Sequence, residues 1–283
     1  MRKSTNRTGI TWKVFGHLED LDFADDVCLL SESQQNMQSK LNRMIENAKR
    51  VGLKINENKT KLLAINCGND VNITTPNGRI EQVRAFNYLG SNLNESGGTE
   101  EDIKIRIGKA HAAFISLQNI WRSKEISEKT KIRLFNSNII SALLYGCESW
   151  RVTNTNTHKL QTFINKCLRK ILKIHWPETI SNEMLWTRTN STKIDTIIKE
   201  RKWKWIGHVL RKKDGNIAKE ALEWNPQGQR KRGRPATTWR RSVLTEAKSL
   251  NKNWTEIKKE SKNRVRWRKT VAALSSAGNS QDK

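Results

Sequence analysis

LDFADDVCLL, Leu21 to Leu30, sets two adjacent carboxylates, Asp25 and Asp26, between two short apolar runs. Val14 to Leu18 and Val27 to Leu30 read as the strands of one β-hairpin closed by a tight acidic turn. Asp is common in turns because its side chain bonds nearby backbone N–H groups, so a plain turn is one account of the doublet. The apolar flanks support another. Desolvation and mutual repulsion both disfavour two ionised carboxylates, and a divalent cation relieves that repulsion. Mg²⁺ is usually held by one or two carboxylates together with substrate phosphates. Two such ions about 4 Å apart activate the attacking 3′ oxygen and stabilise the leaving pyrophosphate in nucleotidyl transfer.

Beyond the hairpin, Ser33 to Val51 reads as an amphipathic helix. Met37, Leu41, Met44, Ala48 and Val51 recur at spacings of three and four, and Gly52 stops the run. LKIN (53–56), KLLAIN (61–66) and VRAFNYLG (83–90) read as further strands, with an Asn- and Thr-rich loop over 67–79. Hairpin, helix and strands in this order give an α+β pattern.

After Gly98 the pattern turns helical. Thr99 and Asp102 resemble a capping box, and Ile103, Ile107, Ala110, Phe114, Leu117 and Trp121 mark one helix face. Helices are also predicted from about Ser127 through ALLYG, from about Thr157 to Ile174, ended by Trp176-Pro177, and over 193–211. NPQGQRKRGRP (225–235) is a basic linker, followed by helices near 236–250 and 254–274. The predicted organisation is an α+β block over 1–98, a helical block over 99–176 and a basic, Trp-rich block over 177–283.

Charge separates these blocks. The chain carries 53 Lys+Arg against 28 Asp+Glu, a net +25. Residues 1–100 contribute only +1, residues 101–192 contribute +8 and residues 193–269 contribute +16. A polyanion is the natural partner of the last two, because each neutralised phosphate releases condensed counterions. Most of the 11 Trp lie at or beyond Trp176, among the basic residues, which favours nucleic acid over a membrane surface. Four widely spaced Cys without a C-x-x-C pair fit a reduced, intracellular compartment, nucleus or cytoplasm. The mean hydropathy is −0.75, and no apolar run has the length of a membrane span.

Phe23-Ala24-Asp25-Asp26 inside an apolar hairpin resembles motif C of the reverse transcriptases of non-LTR (LINE-type) retrotransposons. GLKINENKTK (52–61) resembles that family's motif D, and FNYLG (86–90) its motif E primer grip. RIGKA (106–110), LLYGCESW (143–150), CLRKILKIHWP (167–177), RKWKWIGHVLRK (201–212) and RKRGRP (230–235) resemble the thumb and C-terminal region of its endonuclease–reverse transcriptase polyproteins. The resemblance implies a partial palm, a helical thumb and a basic helical region. It implies RNA-directed DNA polymerisation on an RNA template and DNA primer or target, with Mg²⁺ in the intact parent enzyme. Asp25 is then a metal ligand with Asp26 secondary, Lys59 a general acid towards pyrophosphate, and Tyr88, Leu89 and Gly90 the primer grip. Plain alternatives stand beside these: a solvated lysine, and an ordinary strand end with a turn glycine. Only 24 residues precede Asp25, and the motif A carboxylate and the fingers have no counterpart, so the 283 residues are expected not to polymerise alone. The competing expectation is a non-catalytic nucleic-acid-binding protein, from a domesticated or degenerate element.

In the basic block, RKWKWIGHVLRKK (201–213) alternates cations with Trp203 and Trp205. Arg201, Lys202, Lys204, Arg211 and Lys212 are candidates to track a nucleic-acid backbone, whereas the spacing of Trp205 and Val209 predicts that Trp205 is core. RKRGRP, Arg230, Lys231, Arg232, Gly233, Arg234 and Pro235, contains an Arg-Gly-Arg-Pro of AT-hook type, which suits a narrow minor groove. It reads equally as a basic linker whose Pro235 starts a helix. Cys167 and His175 make half of a zinc knuckle; fewer than four ligands close no structural site, so Cys167 is predicted to be core.

Overall fold

Ser33 is extended and accepts the Asn36 amide on its side chain, starting α1 (Gln34–Arg50) where the sequence places it. At the other end Gly52 takes φ +76°, and the Gly52 and Leu53 amides bond the Lys49 and Ala48 carbonyls. This is a Schellman closure of the kind glycine permits. The computed structural model describes residues 8–13, 16–67, 70–94, 99–224 and 238–276. They divide into two compact units, one of the residues up to Asn94 together with Trp224, and one of Thr99 to Glu223 with the C-terminal helices.

The first unit holds five two-stranded sheets among the described residues. β1 (Ile10–Lys13) pairs antiparallel with β2 (Gly16–Leu18), and β3 (Asp20–Phe23) with β4 (Asp26–Leu29). The single hairpin expected over 14–30 is therefore two. Leu18 pairs with Ile10, and the acidic turn is confined to Ala24 and Asp25; Val14 lies outside the described residues. β5 (Lys61–Leu62) lies parallel to β8 (Glu81–Gln82), and β6 (Thr74–Thr75) pairs with β7 (Gly78–Arg79). β9 (Ala85–Tyr88) pairs with β10 (Ser91–Asn94). LKIN does not form a strand, and only two residues of KLLAIN do. Leu53 is spent closing α1, and the Asn56 carbonyl accepts the Lys59 and Thr60 amides, so the stretch satisfies itself locally. A small core of Leu41, Ile73 and Ile80 holds α1 on these strands.

The second unit is helical: α2 (Glu100–Ser116), α3 (Gln118–Arg122), α4 (Glu128–Leu134), a π-helical turn over Phe135–Ile140, and α5 (Ser141–Leu143). Then come α6 (Asn154–Ile171), α7 (Asn182–Thr189), α8 (Ile194–Leu210), α9 (Ile217–Ala221), α10 (Trp239–Lys248), α11 (Trp254–Ser261) and α12 (Arg264–Ser276). The expected capping box at Thr99 does not form. Thr99 Oγ1 accepts the Arg151 amide at 3.0 Å, and Asp102 Oδ2 accepts the Trp150 indole N–H at 2.8 Å. α6 stops at Ile171, before Trp176-Pro177, because Lys173 turns into the left-handed region at φ +59°.

Among its described residues two cores fill this unit. Ile103, Phe114, Trp121, Phe135, Leu143, Leu160, Leu168, Ile194 and Ile198 belong to the first. Trp203, Ile206, Val209, Val243, Ile257, Trp267 and Val271 belong to the second. The 17-residue α8 serves both, its first half packing on one and its second half on the other. No helix among the described residues is long and apolar enough to cross a membrane.

Candidate functional site

The β3–β4 register pairs Asp20 with Leu29, Leu21 with Cys28, Asp22 with Val27 and Phe23 with Asp26. Paired residues share a face, so Asp20 and Asp22 lie on one side and Asp26 on the other, with Asp25 in the turn. Ala24 bends the turn at φ +53°, a region that L side chains avoid. Asp25 and Asp26 are both exposed, and the flanking Phe23 is 63% exposed. The apolar flanks therefore do not desolvate the doublet, contrary to the expectation from sequence. Burial falls instead on Asp20, whose carboxyl is raised above its usual range by desolvation and then by the neighbouring Asp22.

The base of the hairpin is clamped by a residue that the sequence reading did not single out. Lys40, buried on α1, donates Nζ to the Leu30 carbonyl at 2.5 Å and the Glu19 carbonyl at 3.3 Å. It also pairs with Glu19 Oε2 at 2.5 Å. Burial raises the Glu19 carboxyl, but the Lys40 hydrogen bond, the Gly9 and Thr8 amides and the Lys40 charge outweigh it, and its pKa is lowered. The only sequence signal was a lysine within the apolar rhythm of an amphipathic helix.

The candidate primer grip is a hairpin turn. Leu89 (φ +49°) and Gly90 (φ +80°) are both left-handed, the pattern of a type I′ turn. The Tyr88 hydroxyl donates to the Leu21 carbonyl at 3.0 Å, bringing this hairpin onto the one that bears the doublet. Desolvation first, then Cys28, Asp26 and Asp22, raise the phenol's pKa. Lys59 is exposed in a turn, its amide held by Asn56, and no hydrogen bond or ion pair joins it to Asp25 or Asp26 among the described residues. Nor do three His, Cys, Asp or Glu residues gather to hold a metal ion among the described residues. Two exposed carboxylates on adjacent positions do not fit a Mg²⁺ centre by themselves.

Of the cations on α8, Lys202 does not face solvent. It is 3% exposed and pairs with Glu246 at 2.5 Å, while Trp203 gives its indole N–H to the same carboxylate at 2.7 Å. Trp205, expected in the core, is instead 36% exposed and edge-on to Trp239, and Trp203 is the fully buried one. Arg201 donates to the Leu144 carbonyl, and Arg211 to the Ser261 carbonyl at 2.9 Å. Lys204 is exposed, paired with Glu200 one turn back, and Lys212 is half-buried. Residues 230–235 lie outside the described residues. Cys167 is buried, its thiol pushed up to about 12 by burial, and His175 is exposed.

These elements, an acidic hairpin buttressed by a second hairpin and followed by a basic helical unit, can be compared with known proteins. Residues 13–93 match the reverse transcriptase (RNA-dependent DNA polymerase) family, and residues 113–145 match a domain of unknown function. The first match covers both hairpins and α1. Over 261 residues the chain is 27% identical to an uncharacterized transposon-derived protein of Caenorhabditis elegans, which covers 87% of this chain and 93% of that protein. The chain is thus related in sequence to reverse transcriptases at its N-terminal unit and to a transposon-derived protein over most of its length.

Proposed function

We propose that the chain comprises the motif C-to-E part of a non-LTR retrotransposon palm, the thumb and a basic region. In this reading it engages an RNA template and a DNA primer or target inside the cell. The observation that supports it is the Tyr88–Leu21 hydrogen bond, which puts the FNYLG turn against the FADD hairpin. DNA synthesis in this reading needs a further palm carboxylate and fingers beyond those these residues supply, and Mg²⁺ joins only that completed set. A second reading, a nucleic-acid-binding protein without catalysis, is favoured by the exposure of Asp25 and Asp26.

Primer extension on an RNA template with Mg²⁺ separates the readings. The expected result is no extension by the chain alone. Extension that vanishes in Asp25→Ala overturns the view that these residues are inert by themselves. A salt titration checks the shared part: binding to RNA or DNA is expected to weaken steeply with salt.

A further inference from the structure

α6 carries a basic stripe of its own. Lys166, Arg169 and Lys170 follow one another at helical spacing, and Lys173 comes just past the helix end. With Arg122 of α3, Ile174 and His175 they line a cleft of about 570 Å³. Among the described residues no Asp or Glu lines it. Lys166, Lys170, Lys173 and Arg122 are exposed, and none of the four forms an ion pair among the described residues. Like charges one turn apart on a helix repel by a few tenths of a kcal/mol, so an uncompensated set of this kind suits an external anion.

The cleft is braced from beneath. Lys170 Nζ lies 5.9 Å from the ring centre of buried Phe114, and Ile174 is buried in the first core. Arg169 is occupied otherwise: it donates to the Ile180 carbonyl at 3.2 Å and to Asn182 Oδ1 at 2.8 Å. It thereby ties the far end of the segment after α6 back to the helix. That segment carries Trp176, next in the chain to the lining His175 and 86% exposed.

We propose that this cleft binds single-stranded nucleic acid, with Arg122, Lys166, Lys170 and Lys173 on its phosphates and Trp176 stacked on an unpaired base. A polyanion answers the charge, and the exposed indole selects single strands, since paired bases offer it no free face. The inference deepens the nucleic-acid reading given above and rests on it.

The test measures fluorescence anisotropy of the full chain with labelled oligothymidylate and with a duplex of equal length. Lys166→Glu/Lys170→Glu/Lys173→Glu is expected to lower single-strand affinity at least about tenfold and to flatten the slope of log K against log salt by about 2. Trp176→Ala is expected to weaken oligothymidylate binding about tenfold while leaving the salt slope and duplex affinity unchanged. Circular dichroism of the variants, all at exposed positions, checks that the fold is retained. If the unmodified chain binds neither ligand, the nucleic-acid reading fails and this inference with it. If it binds and either variant is silent, or Trp176→Ala weakens duplex and single strand equally, the cleft assignment alone is overturned.

Discussion

Tyr88 donates its hydroxyl to the main-chain carbonyl of Leu21 at 3.0 Å, fastening the β9–β10 hairpin to the hairpin that carries Asp25 and Asp26. Tyr88→Phe keeps the ring and removes the bond. It is expected to cost about 1 kcal/mol in urea unfolding of the first unit. The raised phenol pKa gives a second readout. A group whose folded pKa lies above its unfolded value contributes stability below the unfolded pKa and loses it as pH rises through the folded one. Stability of the first unit is therefore expected to fall above about pH 10, and less so in Tyr88→Phe.

Lys40 and Glu19 form a nearly buried pair at the base of the same hairpin. Breaking such a pair from one side leaves a charge without its partner, so Lys40→Met is expected to destabilise the first unit by about 3 kcal/mol. The double variant Lys40→Met/Glu19→Gln is expected to recover much of the loss. The lowered Glu19 carboxyl makes its contribution fully present above the unfolded value, about pH 4.3, and lost as pH falls through the folded value. Acid unfolding monitored by amide exchange at β3 and β4 should lose this component in Glu19→Gln.

Asp20 shows the opposite sign. Its carboxyl is raised by desolvation and by Asp22 on the same face, so its ionised form opposes folding at neutral pH. Asp20→Asn is expected to raise stability at pH 7 by a few tenths of a kcal/mol. The gain should vanish at pH 3, where the native carboxyl is protonated as well.

Gly207 permits a close approach within the second core. A Cβ there would lie 1.9 Å from Trp267 Nε1, the atom that donates to the Trp203 carbonyl at 3.2 Å. Alanine usually favours a helix over glycine by about 1 kcal/mol. Gly207→Ala is nevertheless expected to destabilise the helical unit by about 1–3 kcal/mol, because the indole must move. Thermal unfolding and the near-ultraviolet signal of Trp267 report it.

What the sequence disclosed followed the range of the forces involved. Ser33 and Gly52 bound α1 through contacts within a few residues, and the face of Ile103, Ala110, Phe114 and Trp121 is read directly from helical spacing. The site was legible in its residue order, FADD then FNYLG, but not in its environment. Whether the doublet is buried depends on what packs over Phe23, and nothing in LDFADDVCLL records that. Likewise, the alternation of Lys202, Trp203, Lys204 and Trp205 offers no way to choose the inward face. Glu246, 44 residues further on, draws Lys202 and Trp203 inward together. Of the two strands expected over 53–66, KLLAIN keeps only β5, and LKIN is lost for a local reason: the closure of α1 takes the Leu53 amide and the turn at Lys59 and Thr60 takes the Asn56 carbonyl.

Helix α8 lends Ile194 and Ile198 to one core and Trp203, Ile206 and Val209 to the other. An α-helix is hard to melt by halves, since a new helix end leaves unsatisfied backbone groups at the break. Damage around Trp267 is thus transmitted along the rod to Leu160 and Phe135. The helical unit gains a shared fate: it should come apart in one step, and a tether that holds the second core down would also protect the first.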